Sequence, residues 1–275
     1  MRTVEVNAVR LSYRACGDPT AVPVVLLHGS GSDATTWDRL ALRLAGIGYR
    51  CIAVDLRGHA NSARTPDYAL SSIRDDILQL LEALALQEVT LIGHSVGGYA
   101  ALAAAQHGPG RIARLILEDV AAPPQRAASM SAAGLLQGMV AAAAILTQHR
   151  NYDLRAVASI LRQLSRPDAD WWAQLGQVGQ PTLILSGGTT SCIPPARLAA
   201  VTAAIPDARL TTISVGHRVH SLAPDRFASE VSTFLAEQVV ANHACVGGLA
   251  PAALSPQPLG RPASKPYRQA EHADG

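Results

Sequence analysis

Ser95 lies in Leu91-Ile92-Gly93-His94-Ser95-Val96-Gly97-Gly98, where an apolar run gives way to an Ala-rich one. A serine hydroxyl is a poor nucleophile in water. It becomes useful where a tight strand-to-helix turn lifts it above a sheet and sets a helix N-terminus behind it. Gly93 and Gly97 flank Ser95 at the spacing such a turn needs, because strand and helix pass too closely there for Cβ atoms. The chemistry on offer is nucleophilic attack through a covalent intermediate, which requires a base and a group that orients the base. Val215-Gly216-His217 follows the last apolar run, which places His217 as the general base. His220 lies one step into the following turn and reads as a packing or capping residue.

These residues need a scaffold, and the patterning supplies one. Residues 1–7 alternate polar and apolar, as a strand does. Further strand patterns cover 11–16, 22–27, 50–54, 89–92, 115–117, 181–185 and 210–213. Helical patterns cover 36–44, the spaced residues Ile73, Ile77, Leu80, Leu81 and Leu84, then 96–106 and 225–240. The alternation predicts an α/β fold with a mostly parallel central sheet and helices on both faces. Residues 121–179 break the rhythm. They carry no convincing strand and are predicted to form a helical cap over the sheet's C-terminal edge, where ligands bind in such sheets. The organisation predicted is a core over 1–120 and 180–243, the cap at 121–179, and a disordered tail at 244–275 rich in Pro, Ala, Gly and Ser. Trp171 and Trp172 either line an apolar acyl pocket or anchor the cap.

Composition narrows the partners. A chain of 275 residues with a net charge of +2 and a single lysine, Lys265, has no basic face for nucleic acid or an anionic membrane. No apolar run reaches the roughly 18 residues that span a bilayer, and the N-terminus is not a signal peptide. Cys16, Cys51, Cys192 and Cys245 have no metal-ligand spacing and read as free thiols of a reduced, cytoplasmic protein. Cys192 either borders the pocket or, as the favoured reading, is a buried, inert thiol. The expected partner is a small-molecule substrate, with no metal and no cofactor, and the oligomeric state is open.

His28-Gly29-Ser30-Gly31, Asp55-Leu56-Arg57-Gly58-His59, Gly93-His94-Ser95-Val96-Gly97 and Gly216-His217, in this order, resemble an α/β-hydrolase over residues 5–240. The resemblance implies that Ser95 is the nucleophile and His217 the base. It also implies an oxyanion hole made by the backbone N–H groups of Ser30 and Val96. His28 then shapes the oxyanion loop, and Asp55, Arg57 and His59 fix the turn after their strand. The acid departs from the family's commonest place, since the turn from Gly187 to Pro194 holds no carboxylate and Thr190 stands where one is expected. Some family members carry the acid one strand earlier. There Asp119 follows Leu115-Ile116-Leu117-Glu118, and Glu118 points the other way if the strand runs through it. Asp119 is therefore the favoured acid, with Glu118 as alternative. A serine at the turn, rather than aspartate, implies acyl transfer, above all hydrolysis of a carboxylic ester through an acyl-enzyme. The alternatives are an acyltransferase, thioesterase or haloperoxidase-like enzyme on the same fold, and a non-catalytic binder of a small apolar ligand.

Overall fold

The structure is a computed structural model that describes residues 1–126 and 151–246. Eight strands form one sheet: β1 Arg2–Val6, β2 Val9–Cys16, β3 Val22–Leu27, β4 Tyr49–Asp55, β5 Val89–His94, β6 Ile112–Glu118, β7 Thr182–Ser186 and β8 Ala208–Thr212. Their order is β1-β2-β4-β3-β5-β6-β7-β8. β1, β2 and β4 pair antiparallel and all later neighbours pair parallel. The fold is thus the mostly parallel α/β sheet that the alternation predicts. β5 and β7 are buried along their whole length, as expected of strands covered on both faces.

Two apolar layers sandwich the sheet. On one side α1 (Asp38–Gly46) brings Leu40, Ala41 and Leu44 against Trp37, with Phe227, Val231 and Phe234 from the helix Pro224–Val246. On the other, α2 (Leu70–Ala83) contributes Ile73, Ile77, Leu80 and Leu81, packed on α3 (Val96–His107). α3 is buried from Val96 to Ala105, which explains its alanines: small side chains let a helix lie close against a sheet. Residues 1–236 form one compact unit, and 237–275 fall outside it. Among the described residues no helix is long and apolar enough to cross a membrane.

Between β6 and β7 the described residues include two helices, Leu154–Leu164 and Ala169–Gln174, joined to the rest by loop segments. This region is tied to the loop after β4. Asp153 N–H donates to the Gly58 carbonyl at 2.7 Å, and Tyr68 Oη donates to Asp153 at 2.8 Å. Trp171 stacks on Tyr99 of α3 at 5.8 Å and 8°, while Trp172 Nε1 donates to the Pro123 carbonyl at 3.0 Å. Both tryptophans anchor this region to the core. Residues 127–150 of the predicted cap and 247–275 of the predicted tail lie outside the described residues.

Candidate active site

The turn between β5 and α3 is as tight as the glycine spacing predicts. A Cβ on Gly93 would sit 2.3 Å from the Gly97 carbonyl oxygen, and one on Gly97 would sit 2.2 Å from that of Leu27. Ser95 between them takes φ +52°, a left-handed conformation that costs a non-glycine residue about 1–3 kcal/mol and persists only when its surroundings enforce it. The surroundings do so. Ser95 N–H donates to the Glu118 carbonyl at 2.9 Å, and the Ser95 carbonyl accepts from Ala121 N–H at 3.1 Å. The end of β6 thereby grips the serine's backbone from both sides. α3 starts at Val96, so the first N–H groups of a helix open directly behind Ser95.

Asp119, the residue after β6, is fully buried and also has positive φ, +43°. This turns its carboxylate toward β7 and His217. His217 Nδ1 donates to Asp119 Oδ2 at 3.1 Å, and Gly187 N–H donates to Oδ1 at 2.8 Å. Ser191 Oγ makes a further short hydrogen bond to Oδ2. The turn that lacks a carboxylate of its own therefore supplies the donors that hold one arriving from the neighbouring strand. Thr190, expected at the acid's usual place, is exposed. Ser191 and the Gly187 N–H are contacts of Asp119 that sequence reasoning missed.

Glu118 points the other way, as strand alternation requires. Its carboxylate accepts from His220 N–H at 2.9 Å and lies 2.6 Å from His220 Nδ1. The two alternatives left by the sequence, Glu118 as acid and His220 as base, are thus each other's partners in a separate buried pair.

Three further histidines are buried. His28 Nδ1–H donates to the Gly29 carbonyl at 2.7 Å and Nε2 accepts from Leu56 N–H at 3.0 Å. His59 Nδ1–H donates to the Arg57 carbonyl at 3.0 Å and Nε2 accepts from Gly31 N–H at 3.2 Å. Both brace the loop that carries Ser30, whose own hydroxyl is buried with no hydrogen-bond partner among the described residues. His94 Nε2–H donates to the His217 carbonyl at 2.9 Å, so the residue before Ser95 holds His217. The buried guanidinium of Arg57 pairs with Asp76 through two 2.6 Å bonds and secures the turn after β4.

Burial pushes His28 down to about 4 and His59 to about 3. It pushes His94 well below the ordinary 6.5, helped by the neighbouring His217 and His220. All three are neutral in the fold, and this fixes the sign of an acid effect. Unfolded rings take up protons near pH 6.5, whereas folded His28 waits until about 4 and His59 until about 3. Their stabilisation is therefore intact above 6.5 and is lost as pH falls through that window. The expected slope is up to about 1.4 kcal/mol per pH unit for each ring. Urea midpoints measured from neutral pH down toward pH 5 should fall; a flat profile would contradict the neutral assignments.

His217 behaves oppositely. Burial works against its protonated form, but the hydrogen bonds to Asp119 and Cys192 outweigh that and raise its pKa. Cys192 is exposed, not buried as its sequence context suggests, because the 187–194 turn folds its Ser191 inward and leaves the next residue outward. Cys16 and Cys51 are free and face each other across the β2–β4 pair. Ser95 Oγ makes no hydrogen bond among the described residues, so the structure joins His217 to Asp119 and leaves the serine hydroxyl open.

The α/β hydrolase fold family's profile matches residues 22–155. The sn-1-specific diacylglycerol lipase ABHD11 of Mus musculus is 26% identical over 84% of this chain and 87% of its own length. The dihydrolipoyllysine-residue acetyltransferase component of the acetoin cleaving system of Pseudomonas putida is 30% identical over 84% of this chain and 68% of its own. Among solved structures, the thermophilic esterase of Thermogutta terrifontis superposes with a TM-score of 0.68, at 26% identity, over 86% of this chain and 98% of its own. The chain belongs to the α/β hydrolase fold family.

Proposed function

We propose that the protein is a serine esterase that cleaves a carboxylic ester of a small apolar substrate through an acyl-enzyme. The observation that carries this is the 3.1 Å bond between Asp119 and His217, with His94, the neighbour of Ser95, bonded to the same His217. Ser95 Oγ attacks the ester carbonyl and His217 Nε2 takes its proton. Asp119 keeps Nδ1 protonated and steadies the imidazolium. The N–H groups of Ser30 and Val96 receive the oxyanion, and the unpaired Ser30 hydroxyl is available beside them. The alcohol leaves with the proton from His217. Water then attacks the acyl-enzyme with His217 again as base, releasing the acid and restoring Ser95. The lipase and esterase among the relatives support the same reading. A fluorophosphonate probe should label the protein at Ser95 alone; absence of labelling would favour a binding protein.

The acetyltransferase component among the relatives favours a second reading, transfer of the acyl group to an alcohol, amine or thiol. Added acceptor that diverts most of the product from free acid to the acylated acceptor would establish it.

The raised pKa of His217 carries a pH prediction. The base must be neutral, so the acid limb of kcat/KM should lie above the 6.5 of a free imidazole. Cys192→Ala removes the neighbouring thiol that, beside Asp119, raises the pKa. It should move that limb to lower pH while leaving turnover on the alkaline plateau. An unmoved limb would remove Cys192 from the site.

A further inference from the structure

We propose that Glu118, His220 and Thr36 form a positioning relay that sets the direction of the base-bearing segment, so that His217 faces Ser95 as well as Asp119. The inference rests on the acyl-transfer reading above.

The base sits on a short stretch between β8 and the helical turn Val219–Leu222. The Asp119 bond to the ring, the His94 bond to the His217 carbonyl and the Gly216 N–H bond to the Gly187 carbonyl hold this stretch on its sheet side. Fixing the direction in which it leaves requires a further anchor on its far side. The structure supplies it. Consecutive residues at the end of β6 point to opposite sides, Asp119 to His217 and Glu118 to His220. Two carboxylates one residue apart thus hold two histidines three residues apart.

The second grip continues beyond the base. His220 Nε2 lies 2.7 Å from Thr36 Oγ1, on the 3-10 turn Ala34–Trp37 that follows the Ser30 loop. The His220 ring packs against Trp37 at 4.4 Å, His94 at 5.1 Å and Phe227 at 6.1 Å. Glu118 is fully buried and its backbone carbonyl is the acceptor that holds Ser95 N–H. One residue therefore registers the nucleophile through its main chain and the base segment through its side chain. The relay links the acid strand, the base segment and the element behind the oxyanion loop. Neither Glu118 nor His220 has a role in proton transfer to substrate, and a buried polar network of this kind is costly to leave half satisfied.

The test uses the full-length protein and two readouts. NMR titration of ring-labelled histidine reads the pKa of His217 without any substrate. Steady-state hydrolysis of a short p-nitrophenyl ester reads kcat and KM. His220→Ala should lower the His217 pKa toward that of a free ring, as its bond to Asp119 loosens. It should also lower kcat by up to about 100-fold, the scale of a 1 Å misplacement, with KM within about twofold. His220→Asn places an amide N–H where Nδ1 stood and should recover most of both losses. Thr36→Val removes only the outer hydroxyl, keeps the fold, and should show a smaller loss of the same kind in kcat. Asp119, Cys192 and His94, the other groups at His217, are unchanged in all three variants. The relay is overturned if His220→Ala and Thr36→Val both leave the His217 pKa and kcat at wild-type values. It is equally overturned if the loss in kcat equals the loss of folded protein and Asn restores nothing. If the wild type turns over no ester, the acyl-transfer reading fails, while the titration still decides whether the relay positions the ring.

Discussion

Ser95→Ala should reduce turnover of a short p-nitrophenyl ester by about 10⁶-fold, the scale on which a nucleophile, base and acid act as one unit. The reason lies in how the serine is held. Its left-handed backbone at φ +52° is enforced by the Glu118 carbonyl and by Ala121 N–H, and neither bond uses the hydroxyl. Its Oγ has no partner among the described residues. Removing the oxygen therefore leaves the turn, the helix start and the Asp119–His217 bond in place. The melting temperature should stay within a degree or two of wild type while activity disappears. His217→Ala should be as inactive, and combining it with Ser95→Ala should cost nothing more, because a unit already broken has no further rate to lose. His220→Ala should retain measurable turnover, since His220 is spent on Glu118 and Thr36. A Ser95→Ala enzyme that hydrolyses the ester at anything near the wild-type rate would end the acyl-enzyme mechanism. Full inactivity in His220→Ala with activity in His217→Ala would exchange the roles of the two histidines.

The sheet was legible wherever burial wrote itself into apolar runs. The run 22–27 coincides with β3, and 89–92 lies inside β5. β8 was harder, because it is an edge strand whose residues are half exposed, so its pattern is faint and the predicted run starts at 210 instead of Ala208. The elbow was legible because only glycine fits beside it, and two glycines at fixed spacing around a serine are visible in one dimension. The choice of Asp119 over Glu118 was legible through register alone: strand alternation sends neighbouring carboxylates to opposite sides, and the two now hold different histidines. What could not be read is what depends on distant pairing. The Glu118–His220 contact joins positions 102 residues apart, and nothing local marks either residue for the other. Ser191 sits among turn residues without period, so its bond to Asp119 leaves no trace in the chain. Cys192 was misjudged for the same reason, since one tight turn decides which of two adjacent residues faces in.

Asp119→Asn should cost up to about 10⁴-fold in kcat, the loss seen when a triad acid is replaced by its amide. The fold has few ways to compensate. Asp119 Oδ2 accepts both His217 Nδ1–H and the Ser191 hydroxyl, and Oδ1 accepts Gly187 N–H. An asparagine fits the space but has only one acceptor oxygen. If that oxygen stays on Gly187 N–H, the amide NH₂ faces His217 and Ser191. Nδ1 must then accept, the proton moves to Nε2, and the nitrogen that should take the serine's proton is already occupied. If the amide flips to keep its oxygen on His217, the NH₂ group confronts the Gly187 N–H and a buried donor is left unpaired, at a cost of about 1–3 kcal/mol. Either way the acid limb of the pH profile should fall, because the charge that raised the His217 pKa is gone. Glu118→Gln keeps a side-chain oxygen for the His220 N–H and leaves Asp119 untouched, so its effect should be no larger than that of His220→Ala. Thr190→Ala changes an exposed residue and should be close to wild type. Rates of the three variants under identical conditions give the ranking. Asp119→Asn must be slowest by at least two orders of magnitude; if Glu118→Gln is slowest instead, the working acid is Glu118 and the base is the histidine it holds.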